Sequence, residues 1–278
     1  MDRKTGFARL PGRSNLVNLV ILSVLFLCGV PSKAQTPTSS IDEKSQKIID
    51  AAVAALGGQA YLNVQTIFGK GYFSDFKDGA PQVPSKFVDY LVYPNRERTE
   101  FTQSGIKTIQ TNDGNTGWMF DGAVKKISDQ GPAQIEEFKR TMRASVENIL
   151  RGWWRNEGGT VKYVGRREAG LAKRNETIRL TYPDGFWIEY EFGAKDGLPA
   201  KVIYKRMRKD MDLAEMVETT EEDYLRSYVN IEGVNVPWVI DHFVNGKQTS
   251  RINYDQVQFN QKFTDALFAK PDNVKAIK

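Results

Sequence analysis

The chain has 278 residues, 40% hydrophobic, 11% aromatic and 26% charged, a globular composition that excludes collagen, coiled coil, disordered tail and polytopic membrane protein. One Cys excludes a disulfide framework and a thiolate zinc site, and one His excludes the two-histidine metal triads. The net charge of +5 belongs mostly to the N-terminus, where Arg3, Lys4, Arg9, Arg13 and Lys33 outweigh Asp2; the remainder is nearly balanced and has little long-range pull on nucleic acid.

Residues 1–34 read as a cleaved secretory signal peptide. A basic stretch ends at Arg13, an apolar run follows over 16–30, and Ser32 and Ala34 supply the small residues before the cut. Fifteen residues rise only about 22 Å as a helix, short of a roughly 30 Å hydrocarbon core. Phe26 and Leu27 precede Cys28, whereas a lipidated Cys follows a small residue, so Cys28 is expected to leave with the leader. Residues 35–40 form a polar tail, and 41–278 are expected to form a single domain.

The spacing of Ile41, Ile48, Ala51, Ala52 and Ala55 predicts a helix over 41–56, stopped by Gly57-Gly58. Strands are predicted over 66–76, 85–93, 96–103, 106–112, 116–120 and 124–127. Asp78-Gly79, Pro94-Asn95, Ser104-Gly105, Asp113-Gly114 and Asp121-Gly122 separate them. Such spacing without intervening helices argues for an antiparallel meander. Ile135, Phe138, Met142, Val146, Ile149 and Trp153 predict one helix over 132–154. Strands resume over 160–167, 176–182, 186–192, 199–205, 234–242 and 249–259. Residues 207–224 fit either a helix or a long hairpin arm, and 260–278 read as extended. The expected whole is an α+β fold, a strongly bent antiparallel sheet with two helices on one face.

Catalytic motifs are absent: there is no G-x-S-x-G, H-E-x-x-H, C-x-x-C or P-loop. His242 reads as structural, and Glu136-Glu137 and Glu221-Glu222-Asp223 read as solvated faces, not glycosidase pairs. The chain is read as no enzyme, with no cofactor and no metal. The aromatics carry more. Trp118 and Phe120 share one strand face, and Tyr72, Tyr90, Val92, Ile109 and Trp187 fall on neighbouring strands with comparable alternation. Several strands are apolar on both faces, which suits a core or a ligand cavity. Met207, Met211 and Met216 cluster as candidates for an adaptable lid.

Between Lys86 and Ser128 the chain runs FVDYLVYPNRERTEF, a turn, then IKTIQTNDGNTGWMFDGAVKKIS. With Gly57-Gly58, the Gly69-x-Gly71 strand and the closing Phe268, Pro271 and Val274, this order resembles the periplasmic outer-membrane lipoprotein carrier (lipoprotein-sorting) superfamily. The resemblance implies an unclosed, eleven-stranded half-barrel with helices capping its concave face over an apolar cavity. It implies a periplasmic carrier that shields acyl chains of lipoproteins or lipids between an inner-membrane donor and an outer-membrane acceptor. Tyr72, Tyr90, Val92, Ile109, Trp118, Phe120 and Trp187 are its expected pocket residues, and a monomer is expected. The alternative is an envelope sensor or scaffold of the same fold that binds a membrane-protein partner. The carriers place an Arg before the strand-ending Pro to hold the cavity shut, whereas this chain has Tyr93 there.

Overall fold

The first secondary structure is pinned by one carboxylate. In the computed structural model, which describes residues 38–209 and 215–277, a short strand β1 (Ser40–Ile41) leads into helix α1 (Glu43–Leu56). Asp42 caps that helix, accepting from the Ser45 amide at 2.8 Å, and also accepts from the Tyr163 amide at 2.7 Å, which ties the helix start to the sheet. Gly57 ends α1 with φ of 121°; a Cβ there would fall 2.2 Å from the Gly233 carbonyl oxygen, so only glycine lets the helix end lie on the sheet. The leader expected over 1–34, with Cys28, and Met211 lie outside the described residues.

One turn of helix, α2 (Gln59–Leu62), precedes strands β2 (Thr66–Lys77), β3 (Ala80–Pro81), β4 (Ser85–Val92), β5 (Arg96–Gln103), β6 (Ile106–Asp113), β7 (Thr116–Asp121) and β8 (Lys126–Asp129). Ser104 and Gly105 both take positive φ, 50° and 80°, as a two-residue hairpin turn requires. Helices α3 (Pro132–Ala144) and α4 (Val146–Arg151) and a 3-10 turn (Trp153–Glu157) follow. The second run of strands is β9 (Thr160–Glu168), β10 (Arg174–Thr181), β11 (Trp187–Gly193), β12 (Pro199–Lys209), β13 (Met216–Ile231), β14 (Val234–Val244) and β15 (Lys247–Phe259). A short α5 (Asp265–Phe268) and a 3-10 turn (Val274–Ala276) replace the extended segment expected after Asn260. Residues 207–224 belong to the hairpin arm β12–β13, not to a helix.

The sheet has fifteen strands, more than the eleven that the resemblance implies, in the order β1-β9-β10-β11-β12-β13-β14-β15-β2-β4-β5-β6-β7-β8, with β3 beside β2. Among the described strands only β1–β9 is a parallel pair. The chain closes the middle by pairing β15 with β2, while β1 and β8 at the two ends do not meet. The result is an unclosed, curved half-barrel whose concave face carries the helices. Ile49, Ala52 and Leu56 of α1, Ile149 of α4 and Trp154 pack there in one buried cluster with Val161, Ile178, Leu180, Ile188 and Phe192. At roughly 1.5–3 kcal/mol for each large buried side chain, this seam holds helices to sheet.

The single helix predicted over 132–154 is broken at Ser145, whose ψ of 150° is extended. The Ser145 side chain restarts the helix by accepting from the Asn148 amide at 3.2 Å. The sheet takes up the freed carbonyls: the Tyr190 hydroxyl lies 3.2 Å from the Arg143 carbonyl and 3.3 Å from that of Ser145. Asn148 also donates to the Arg143 carbonyl at 2.7 Å and to the Tyr182 hydroxyl at 2.6 Å. Helical spacing persists through the break, so periodicity alone could not reveal it.

Candidate functional site

Period-two alternation and register place the residues of β4 and β5 on opposite faces. Leu91 pairs with Glu97 and Asp89 with Thr99 on the concave face; Tyr90 pairs with Arg98 and Val92 with Arg96 on the convex face. On the concave side a cavity of about 380 Å³ opens between sheet and helices, within the size range of small-ligand sites. Its sheet wall is Ile67, Leu91, Val202, Leu225, Ile240, Ile252, Tyr254 and Val257. Its cover is Leu56, Tyr61, Thr141, Met142, Ser145, Val146, Glu147 and Trp153, so the break at Ser145 lies over the cavity.

The polar groups of this cavity fall into three sets. Arg151 is its single basic residue among the described lining. It donates to the carbonyls of Leu62 at 3.1 Å and Tyr61 at 2.8 Å, with its guanidinium over the rings of Tyr93 at 4.5 Å and Tyr61 at 4.8 Å. Tyr93 also packs against Trp153, with centroids 5.5 Å apart. Where the resemblance implies an arginine holding the helices, this chain has Tyr93, just past the end of β4, gripped by the last residue of α4, Arg151. Burial raises the Glu147 carboxyl above its ordinary value, although Arg151 and the Tyr93 phenol pull the other way.

Asp89 and Glu97 form the second set, diagonal neighbours on the concave face. Asp89 accepts from the Thr99 hydroxyl at 2.8 Å. Desolvation by the surrounding protein pushes both carboxyls upward, and the charge on Asp89 adds to the rise at Glu97.

The third set lies at the Asp223 side of the cavity. His242 Nδ1 is 2.5 Å from Asp223 and Nε2 is 2.9 Å from Glu221. Burial lowers its pKa, but these two carboxylates more than reverse that and raise it to about 9. His242 is therefore a fixed cation at neutral pH. Glu221, expected on a solvated face, is instead fully buried; it accepts from Arg206 at 2.9 Å, Arg208 at 2.7 Å, and Thr219 at 2.7 Å. Arg206 reaches across to pair with Glu137 of α3.

The residues picked from sequence lie elsewhere. Tyr90, Val92, Ile109, Trp118 and Phe120 share the convex face, and none of them, nor Tyr72 or Trp187, lines the cavity. Ile109, Trp118 and Phe120 form a small core with Ile127, Val274 and Ile277. Trp118 donates to the Phe268 carbonyl at 2.8 Å, Arg98 to that of Leu267 at 2.8 Å, and Tyr90 packs edge-on to Phe263. The chain's own C-terminal segment thus covers these aromatics. Tyr72 is exposed, and Trp187 lies beside the Arg179 guanidinium at 4.6 Å. Met207 and Met216 are 53% and 58% exposed on the paired strands of the hairpin arm, away from the cavity. The cover is α3–α4 instead.

Trp118→Ala is therefore expected to loosen residues 261–277 without touching the cavity lining. Limited proteolysis should cut that segment about tenfold faster, because a buried ring and its hydrogen bond are lost. Unchanged cleavage would contradict this placement.

Sequence reasoning missed Leu91, Tyr93, Glu97, Glu147 and Arg151 as cavity groups. The available signal was a charge inside an apolar strand: Asp89 sits in Phe87-Val88-Asp89-Tyr90-Leu91-Val92, and a strand apolar on both faces leaves such a group inside the protein.

No family model and no curated protein matches the chain. Among solved structures, a DUF1329 family protein from Desulfovibrio piger ATCC 29098 has a TM-score of 0.55 at 12% identity, over 81% of this chain and 97% of that one. A putative outer membrane lipoprotein-sorting protein domain from Vibrio parahaemolyticus has a TM-score of 0.51 at 11% identity, over 81% and 97%. The likeness is one of fold, a half-barrel carrying helices.

Proposed function

We propose that this protein is a non-enzymatic carrier of acyl chains, working in the periplasm, where the expected leader over 1–34 would deliver it. The single observation that carries this reading is the cavity of about 380 Å³ enclosed by apolar strands and the α3–α4 cover. At about 0.8 kcal/mol per buried methylene, six enclosed methylenes contribute roughly 5 kcal/mol before the cost of association. Lipoproteins are the proposed cargo, by analogy with a solved putative outer membrane lipoprotein-sorting protein domain of similar fold; the proposed route runs from an inner-membrane donor to an outer-membrane acceptor. A monomer suffices, since the cavity is built by one chain. Release requires movement of the cover, which Arg151 and the Glu137–Arg206 pair hold to the sheet side.

The test is mass spectrometry of an organic extract of protein purified without detergent, together with titration of a fluorescent acyl chain. An acyl species in the extract, or saturable one-to-one binding, is expected. An extract free of acyl species together with no saturable binding would overturn the carrier reading.

A further inference from the structure

Four carboxyls face the cavity, Asp89, Glu97, Glu147 and Asp223, against one lining base, Arg151. Two of the four are answered from within the protein. Asp223 meets His242 at 2.5 Å, and Glu147 has Arg151 and the Tyr93 phenol. Asp89 has only neutral donors, the Thr99 hydroxyl and its neighbouring backbone. Glu97 has neither an ion pair nor a hydrogen bond among the described residues, and Asp89 beside it carries the same charge. A second group lies on the opposite wall: Tyr61 is 6% exposed, and among the described residues its phenol oxygen has no well-formed hydrogen bond, with the Arg151 guanidinium beside it. A filled hydrocarbon core would have no use for half-buried carboxyls, and the buried, unpaired Tyr61 oxygen costs about 1–3 kcal/mol.

We propose that the cavity takes a cationic amphiphile, an aliphatic chain bearing a protonated amine that seats between Asp89 and Glu97. The inference rests on the carrier reading and adds the chemistry of the head group. An ammonium brings three N–H donors and one positive charge to a carboxyl pair that has no cation beside it and, at Glu97, no donor. Its chain then runs along Leu91, Tyr254, Ile252 and Ile240, the adjoining sheet wall. Empty, the carboxyl pair relieves its repulsion by keeping a proton; filled, the ammonium takes that place. A carboxylate or phosphate head would meet like charge at the same point.

Decylamine and decanoate below their micellar concentrations, and decanol below its solubility limit, should be titrated against the neutral fluorophore N-phenyl-1-naphthylamine bound to the purified protein. Decylamine is expected to displace it at about a tenfold lower concentration than decanol, with decanoate weakest. In Asp89→Asn/Glu97→Gln that advantage should shrink below about threefold, with decanol unchanged. Glu97→Gln alone, which keeps size and polarity, should cut the advantage by more than half and serves if the double variant does not fold. Equal displacement by amine and alcohol, or a full preference retained in Glu97→Gln, would overturn the head-group assignment while leaving the carrier standing. Displacement by none of the three would overturn both.

Discussion

Ile240→Trp combined with Ile252→Trp should lower the affinity for a long-chain amphiphile by about 100-fold or more. The two residues are register partners on β14 and β15, and both line the cavity wall, where Leu225 continues the row as the partner of Ile240. Two indoles at this point take the room of the chain. Excluding four methylenes at about 0.8 kcal/mol each removes roughly 3 kcal/mol, which is the stated factor. Stability should change little, unlike the usual result of a core substitution. An unfilled cavity costs about 24 cal/mol per Å³, and filling part of it returns some of that, against a packing strain of about 1–3 kcal/mol. The melting temperature should therefore stay within a few degrees while binding is lost. Unchanged affinity in a folded variant would show that ligand does not occupy this space.

Period-two patterning and turn chemistry made the meander legible, because each hairpin is set by residues two to four apart. Strand β5 runs over Arg96–Gln103, as expected. The break in the cover was not legible, because Ser145 is held extended by what Tyr190 and Tyr182 offer from strands more than thirty residues away. The C-terminal segment was missed for the same reason: Trp118 and Phe268 meet across 150 residues.

The choice of face failed on a different point. Alternation says which residues of a strand share a face, never which face turns inward. Strand β4 is apolar on both, with Phe87, Leu91 and Tyr93 opposing Val88, Tyr90 and Val92. The aromatics Trp118 and Phe120 then drew attention to the side that the chain itself covers. The curvature, the helices and the carboxyls decide the matter, and only the carboxyls are visible in sequence. Asp89 and Glu97 occupy the concave rows, where a plain core would have carried aliphatic residues.

His242→Gln should remove most of the stability that the wild-type protein loses between about pH 6.5 and pH 9. The folded protein holds His242 at about 9 because Asp223 and Glu221 outweigh its burial, whereas the unfolded chain holds it near 6.5. A pKa raised on folding contributes stability that is complete below the unfolded value and lost as pH rises through the folded one. At about 1.4 kcal/mol per pKa unit, the swing is roughly 3 kcal/mol at most, with side-chain exposure of 22% reducing it only in part. Urea unfolding at pH 6, 7.5 and 9.5 should show a declining midpoint in the wild type and a flatter one in His242→Gln. Glu221→Ala should be worse at every pH, by about 3 kcal/mol, because it removes the buried carboxylate shared by Arg206, Arg208 and His242, leaving among the described residues only Glu137 to Arg206 and Asp223 to His242. The same variant reaches the cover, since Arg206 bridges buried Glu221 to Glu137 of α3. Amide exchange in α3 should accelerate in Glu221→Ala more than in α1, which is tied to the sheet independently through Asp42 and Tyr163. Parallel pH profiles for wild type and His242→Gln, or equal acceleration in α1 and α3, would show that this cluster neither sets the alkaline limit nor fastens the cover.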